Sequence, residues 1–321
     1  MAKMTVRDLK DLKGTRLFVR VDYNVPVENG VITDDTRIRA SLPTLELLIA
    51  AGARLFLASH LGRPKKGPTP EFSLKPVAAR LSELLQRPVT LASDCLGPEV
   101  RELSATLGDG GVVLLENVRF HKEEEANDPA FAAQLIADTG STVFVNDAFG
   151  TAHRAHASTE GVSHHVRTSV AGLLMDKEVK YLGMALEAPV RPFVAVLGGA
   201  KVSDKIQVIE SLLPRVDALL VGGGMAYTFL RAQGLATGKS LVEEDKVGLA
   251  KDLLAQARGK IRLPQDHVVA EAFKADAEHK TVPVTEIPEG WMGLDIGPVT
   301  AKAFAGEARS AKIVLWNGPM G

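Results

Sequence analysis

Arginine and histidine recur where short apolar runs stop. Leu17-Phe18-Val19 leads into Arg20-Val21-Asp22-Tyr23-Asn24, and Arg54–Ala58 leads into Ser59-His60-Leu61-Gly62-Arg63. Val112–Leu115 leads into Glu116-Asn117-Val118-Arg119. Val143–Val145 leads into Asn146-Asp147-Ala148-Phe149-Gly150, then His153-Arg154-Ala155-His156. A guanidinium grips phosphate or carboxylate oxygens with two parallel hydrogen bonds and does not deprotonate. One such arginine alone reads as a surface cation. Arg37, Arg63, Arg119 and Arg154, repeated at strand ends or in the loops beyond them, describe one polyanion site. His60 and His156 can donate to the same anion or be satisfied core histidines. No carboxylate or cysteine stands at metal-ligand spacing from these histidines, so a zinc site is not expected. Asp22 and Asn24 can fix a substrate hydroxyl or cap the turn before Pro26.

A second kind of motif occupies the other half of the chain. Gly198-Gly199-Ala200-Lys201-Val202-Ser203-Asp204-Lys205 follows a strand pattern and opens a helix pattern. Small residues let backbone amides approach phosphate oxygens, and a helix N-terminus adds partial positive charge. The spacing predicts Lys201 and Lys205 on one face of that helix's first turn. Gly222-Gly223-Gly224-Met225 and Trp291–Pro298 are either tight packing turns or flat walls for an adenine ring.

These residues need elements to hold them. Strand patterns lie near residues 17–21, 54–58, 88–91, 112–115 and 143–146. Helix patterns run from Ile38 to Ala51, interrupted by Pro43, from Leu74 to Leu85 behind Ser73 as N-cap, and from Asp128-Pro129 to Gly140. Strands alternating with helices predict a parallel sheet with ligands beyond its carboxyl edge. Met175–Ala188 is a helical connector stopped by Pro189-Val190-Arg191-Pro192. The α/β rhythm then resumes with strands at Phe193–Leu197, Ala218–Val221 and Val268–Ala270. Helices are expected over Ser203–Leu213, Met225–Gln233 and Val242–Ala257. A last strand, Ile313–Trp316, runs into Asn317-Gly318-Pro319-Met320-Gly321, and no helix follows. The expected architecture is two Rossmann-like doubly wound α/β domains, residues 1–172 and 192–321. A helical hinge at 173–191 joins them, and the second domain is incomplete at its C-terminus.

Composition narrows the function. Of 321 residues, 38 are Lys or Arg and 39 are Asp or Glu, a net charge of -1. That balance gives no general attraction for nucleic acid, so any anion site is local. No apolar stretch approaches the roughly 18 residues that suggest a membrane span. The single cysteine, Cys95, excludes an intrachain disulfide and fits a reducing cytoplasm. A monomer without membrane attachment is expected.

Taken together, the motifs resemble those of the phosphoglycerate kinase family. The matching tracts are RVDYNVP (Arg20–Pro26), Asp34–Ile38, SHLGRP (Ser59–Pro64), LLENVRF (Leu114–Phe120), NDAFGTAHRAHAS (Asn146–Ser158), LGGAKVSDKI (Leu197–Ile206), GGGMAYTFL (Gly222–Leu230), GWMGLDIGP (Gly290–Pro298) and WNGPMG (Trp316–Gly321). The resemblance implies reversible in-line phosphoryl transfer between 1,3-bisphosphoglycerate and ADP, giving 3-phosphoglycerate and ATP, with Mg²⁺ carried by the nucleotide. It implies phosphoglycerate binding by Asp22, Tyr23, Asn24, Arg37, His60, Leu61, Gly62, Arg63, Arg119 and Arg154. Nucleotide binding would fall to Gly199, Ala200, Lys201, Lys205, Gly223, Gly224, Gly293, Asn317 and Pro319. Arg37, Lys201 and Lys205 would neutralise the transferring group. A carboxylate nucleophile is already ionised, so positioning and charge neutralisation replace a general base. Because the two anion sites fall on different domains, closure is expected, with 175–192 and His153–Thr159 as hinge candidates. The family's later ribose-binding glutamate and metal-serving aspartate lie past Gly321, so retained phosphoglycerate binding with impaired turnover is expected. Two alternatives stand beside this reading. One is a non-catalytic anion-binding module. The other is a different small-metabolite kinase, for which only Asp22 or Asp147 could serve as base.

Overall fold

A strand whose successive side chains are all apolar must be covered on both faces. Leu17, Phe18 and Val19 in one strand and Leu55, Phe56 and Leu57 in the next have no accessible surface. The computed structural model, which describes residues 3–65, 67–187 and 189–321, shows how they are covered. It divides into two compact units, Met1–Lys180 and Tyr181–Gly321. That division falls inside the helix Leu173–Glu187. Ala188, the expected last residue of that helix, lies outside the described residues.

The first unit is built on a six-stranded parallel sheet in the order Thr90–Leu91, Val112–Leu114, Arg54–Ala58, Arg16–Arg20, Val143–Asn146, Thr168–Ala171. Register is simple: Phe18 lies opposite Phe56 on one side and Phe144 on the other. Alternate residues then face opposite layers. Leu17, Val19, Leu55 and Leu57 join Leu45 and Leu48 from the helix Thr36–Ala50, and Val77 and Leu81 from the helix Lys75–Leu85. Phe18, Phe56, Val113 and Phe144 join Val100 from the helix Pro98–Thr106, and Phe131 and Leu135 from the helix Pro129–Thr139. Burying such a side chain fully is worth about 1.5–3 kcal/mol, so the two layers anchor the hydrogen-bonded sheet from both faces. The chain reverses direction across the sheet between Arg16–Arg20 and Val143–Asn146. This is the switch point where ligands of open α/β sheets bind.

Local chemistry sets the helix ends. Asp128 accepts the Phe131 amide at 2.8 Å, Pro129 takes the first turn, and Gly140 closes the helix at φ 60°. Leu74, not Ser73, occupies the N-cap of the Lys75–Leu85 helix. The Ser73 hydroxyl still accepts the Lys75 amide at 3.2 Å while donating to Glu116 at 2.6 Å. Pro43 sits inside the Thr36–Ala50 helix without ending it.

The second unit has a four-stranded parallel sheet in the order Ile261–Arg262, Ala218–Val221, Phe193–Leu197, Ile313–Asn317. Three expectations change here. The strand expected at Val268–Ala270 spans Asp266–Ala270 and joins no parallel sheet. It is the centre of a three-stranded antiparallel sheet between His279–Pro283 and Met292–Ile296. The helix expected from Ser203 begins only at Ile206, because the Glu243 carboxylate takes both the Ser203 amide (3.0 Å) and its hydroxyl (2.6 Å) and holds a turn. The helix expected from Val242 begins at Val247, after a short turn at Glu244–Lys246.

Candidate functional site

One cavity of about 290 Å³ lies at the carboxyl edge of the first sheet. Asp22, Asn24, Arg37, His60, Gly62, Arg63, Arg119 and Arg154 line it, with Gly150 and Thr151. Eight of the ten residues expected to bind substrate therefore meet, although they span 133 positions from Asp22 to Arg154. Tyr23 and Leu61 do not line it. Tyr23 is buried in the core, its hydroxyl 2.9 Å from the Ser41 hydroxyl, and Leu61 packs in the same cluster. Their apolar surface belongs to the layer beneath the strand ends. Gly150 and Thr151 were not expected in the wall. Their signal was available in the Asn146–Gly150 tract, where glycine lets Asp22 approach: a Cβ on Gly150 would stand 2.8 Å from Asp22 Oδ2.

The cavity sets four guanidiniums against one carboxylate. Arg37 Nη1 donates to Asp22 Oδ2 at 2.8 Å. Arg119 is largely buried, donating to the Gly62 carbonyl at 3.0 Å and pairing with Glu125 at 3.0 Å. Burial pulls the Arg119 pKa down, and neighbouring Arg154 and Arg63 add to that pull. Asn24 accepts the Gly62 amide at 2.8 Å through Oδ1, so its amide nitrogen remains to donate. Burial pushes the His60 pKa down to about 2, helped by the charges of Arg20, Arg119, Arg154 and Arg37. The imidazole is neutral at physiological pH. An anion with several oxygens is what such a cavity accommodates.

His153 and His156 are not part of the cavity wall. Asp147, a base candidate in the alternative kinase reading, is buried and accepts the amides of Leu174 (2.9 Å) and Met175 (3.1 Å). It secures the first turn of the Leu173–Glu187 helix. Asp22, the other candidate, is engaged with Arg37.

In the second unit, three loops at the carboxyl edge of its parallel sheet pack backbone on backbone. The Gly199 carbonyl accepts the Met225 amide at 2.9 Å, and the Met320 carbonyl accepts the Gly223 amide at 2.6 Å. A Cβ on Gly223 would lie 2.7 Å from Gly199 N, and one on Gly224 would lie 2.9 Å from the Ala200 carbonyl. Gly199, Ala200, Gly223, Gly224, Asn317 and Pro319 thus come together. The Lys205 ammonium donates to Asn317 Oδ1. Gly293 stands on the antiparallel sheet, packed against the Tyr227 ring, and its amide donates to Ser240 at 2.9 Å. Lys201 and Lys205 precede the helix and do not share its first turn, because that turn starts at Ile206.

Among the described residues, one group of three potential metal ligands lies close together: Asp94, Cys95 and His121. Its thiol and imidazole suit soft metals, not the all-oxygen shell of Mg²⁺. No helix of the described residues is long and apolar enough to cross a membrane.

The phosphoglycerate kinase family profile matches residues 6–321. The chain belongs to the phosphoglycerate kinase family. It is 61% identical to the cytosolic phosphoglycerate kinase of Triticum aestivum, covering 97% of this chain and 78% of that relative. It is 59% identical to the phosphoglycerate kinase of Moorella thermoacetica, over 100% of this chain and 81% of the relative. Among solved structures, the phosphoglycerate kinase of Pyrococcus horikoshii superposes with a TM-score of 0.85 at 32% identity, covering 99% of this chain and 81% of that one. That of Coxiella burnetii gives 0.80 at 40% identity, covering 100% and 81%. The chain is an enzyme of glycolysis. Its reaction is reversible phosphoryl transfer between 1,3-bisphosphoglycerate and ADP, yielding 3-phosphoglycerate and ATP. Neither the non-catalytic reading nor the other-kinase reading is favoured by these likenesses. The phosphoglycerate kinase family in general uses its nucleotide with Mg²⁺.

Proposed function

We propose that the cavity of the first unit holds the phosphoglycerate and the glycine loops of the second hold the nucleotide. The observation that carries this reading is the convergence of Arg37, Arg63, Arg119 and Arg154 with neutral His60 and Asn24 on one small cavity. A triose phosphate acid has a phosphate at one end and a carboxylate at the other, and guanidiniums match both. Backbone amides of Gly199, Ala200 and Gly224, with Gly223 allowing the close approach of the loops and Asn317, Pro319 and Gly293 in the same unit, suit a polyphosphate and its base. Mg²⁺ enters with the nucleotide as part of the substrate.

The chemistry then asks little of the side chains. An ionised carboxylate oxygen attacks the terminal phosphorus in line, and no proton moves. Arg37 on the first unit and Lys201 and Lys205 on the second are the cations we assign to the oxygens of the transferring group. We also assign the chain to the cytoplasm as a monomer, with domain closure through the 173–191 segment. Arg37→Ala tests the assignment. A cation aimed at transition-state charge is worth about 10²-fold or more in turnover. The expected result in a coupled kinase assay is that loss, with ADP binding by calorimetry unchanged. A loss below about threefold in both directions of the reaction would remove Arg37 from the catalytic set. Independently, 3-phosphoglycerate is expected to raise the melting temperature of the folded protein, and no rise at millimolar ligand would count against the cavity as its site.

A further inference from the structure

Glu124 has no exposed surface and stands behind the cavity, not in its wall. Both its oxygens are committed to one residue: Oε2 accepts the Ser158 amide at 2.8 Å and Oε1 accepts the Ser158 hydroxyl at 2.6 Å. His156 Nδ1 approaches Oε1 only to 4.0 Å. A serine hydroxyl carries one hydrogen. With that hydrogen given to Glu124, the Ser158 oxygen turns lone pairs toward Arg20, whose Nε donates to it at 2.8 Å. Arg20 is itself only 1% exposed, and Glu124 is the foremost negative charge acting on it. Its Nη2 reaches His60 Nδ1 at 3.1 Å. A guanidinium only donates, so Nδ1 must be the unprotonated nitrogen and the neutral ring's hydrogen sits on Nε2.

That hydrogen matters because His60 lines the cavity. The phosphate and carboxylate oxygens of a phosphoglycerate are acceptors. The Nε2–H tautomer offers them a donor, while the other tautomer would set a lone pair against an anion. We propose that Glu124 and Ser158 are positioning residues of this cavity: the Glu124–Ser158–Arg20 chain presents His60 as its Nε2–H tautomer. The inference rests on the assignment of the cavity to phosphoglycerate.

The test uses the whole chain labelled with ¹⁵N in the histidine rings. Long-range ¹H–¹⁵N correlation spectra report the tautomer of each ring, and His60→Asn identifies the His60 signal by its disappearance. The unliganded wild type is expected to show His60 as Nε2–H, and 3-phosphoglycerate is expected to move that signal. Ser158→Ala breaks the link and leaves the Glu124 contact with the residue 158 amide in place. It is expected to give a tautomer mixture and a KM for 3-phosphoglycerate raised about tenfold with kcat little changed, the loss of one charge-assisted hydrogen bond. Glu124→Gln is expected to act in the same direction. If 3-phosphoglycerate leaves the wild-type His60 signal unmoved, the cavity assignment fails and this inference with it. If the signal moves, yet folded Ser158→Ala keeps both the pure Nε2–H signature and the wild-type KM, the positioning role alone is overturned.

Discussion

Four guanidiniums around a cavity of about 290 Å³ repel one another, and the fold holds two of them with fixed partners. Arg119 is fastened to the Gly62 carbonyl and Glu125, and Arg37 to Asp22. Gly62 is the pivot, because its amide also binds Asn24 and its backbone sits at φ +63°. No L side chain adopts that conformation readily, and a methyl there would run into the Phe72 ring. Gly62→Ala is therefore expected to cost about 1–3 kcal/mol of stability. It should also weaken 3-phosphoglycerate binding, because Asn24 and Arg119 lose their anchor. Urea unfolding and calorimetry check the two effects. An alanine variant of unchanged stability and affinity would show that the backbone yields at this point. The arginines of the cavity were legible in sequence only as a set, because one arginine reads as a surface cation while four at or just beyond successive strand ends do not. Tyr23 and Leu61 lie in the core and not in the cavity wall, because motif membership carries no information about which way a side chain turns.

Elements with a long apolar period or a strong cap were readable, and those without were not. Pro129–Thr139 announced itself through Asp128, Pro129 and Gly140. Pro98–Thr106 was missed because it buries only Val100 and Ser104, and Pro298–Ser310 because it buries only Thr300 and Phe304. The antiparallel sheet was hidden for a related reason. His279–Pro283 is exposed except at Val282 and opens with three polar residues, and Met292–Ile296 contains the glycine that made it resemble a loop. The turn before Ile206 depends on Glu243, about forty residues away, which no local pattern reveals. That turn carries Lys201 and Lys205, so it has functional weight. Glu243→Ala removes acceptors from the Ser203 amide and hydroxyl and frees the segment. The expected result is a KM for ADP raised about tenfold, equivalent to one or two lost hydrogen bonds, with the KM for 3-phosphoglycerate unchanged. An unchanged KM for ADP in the coupled assay would show that the lysines do not depend on this turn.

At the scale of the whole molecule, each unit hides a histidine that resists protonation, and this links stability to pH. His60 in the first unit is pushed down to about 2, and His267 in the second to about 4, in both cases chiefly by burial. His267 is 1% exposed, its Nδ1 3.1 Å from the Tyr227 hydroxyl. Both folded values lie below the ordinary 6.5 of the unfolded chain. As pH falls below 6.5, the unfolded chain takes up protons that the folded chain refuses, so stability declines. The decline is about 1.4 kcal/mol per pH unit from each histidine. His267 stops contributing once pH passes its own folded value of about 4, and His60 continues. Asp147, raised by burial, opposes the trend at the acid end. His121 acts on the other side of neutrality. Its hydrogen bond to Asp94 raises its pKa, so its contribution is complete below 6.5 and fades as pH rises through the folded value. Urea midpoints should therefore fall between about pH 6.5 and pH 4.5 as His60 and His267 take up protons on unfolding, with His156, whose pKa burial also lowers, adding to the slope. His60→Asn should flatten the first unit's share of that slope, and His267→Gln the second unit's. A midpoint that stays constant across this window in the wild type would mean that both imidazoles find water or protons in the folded state, against the burial that closes them off.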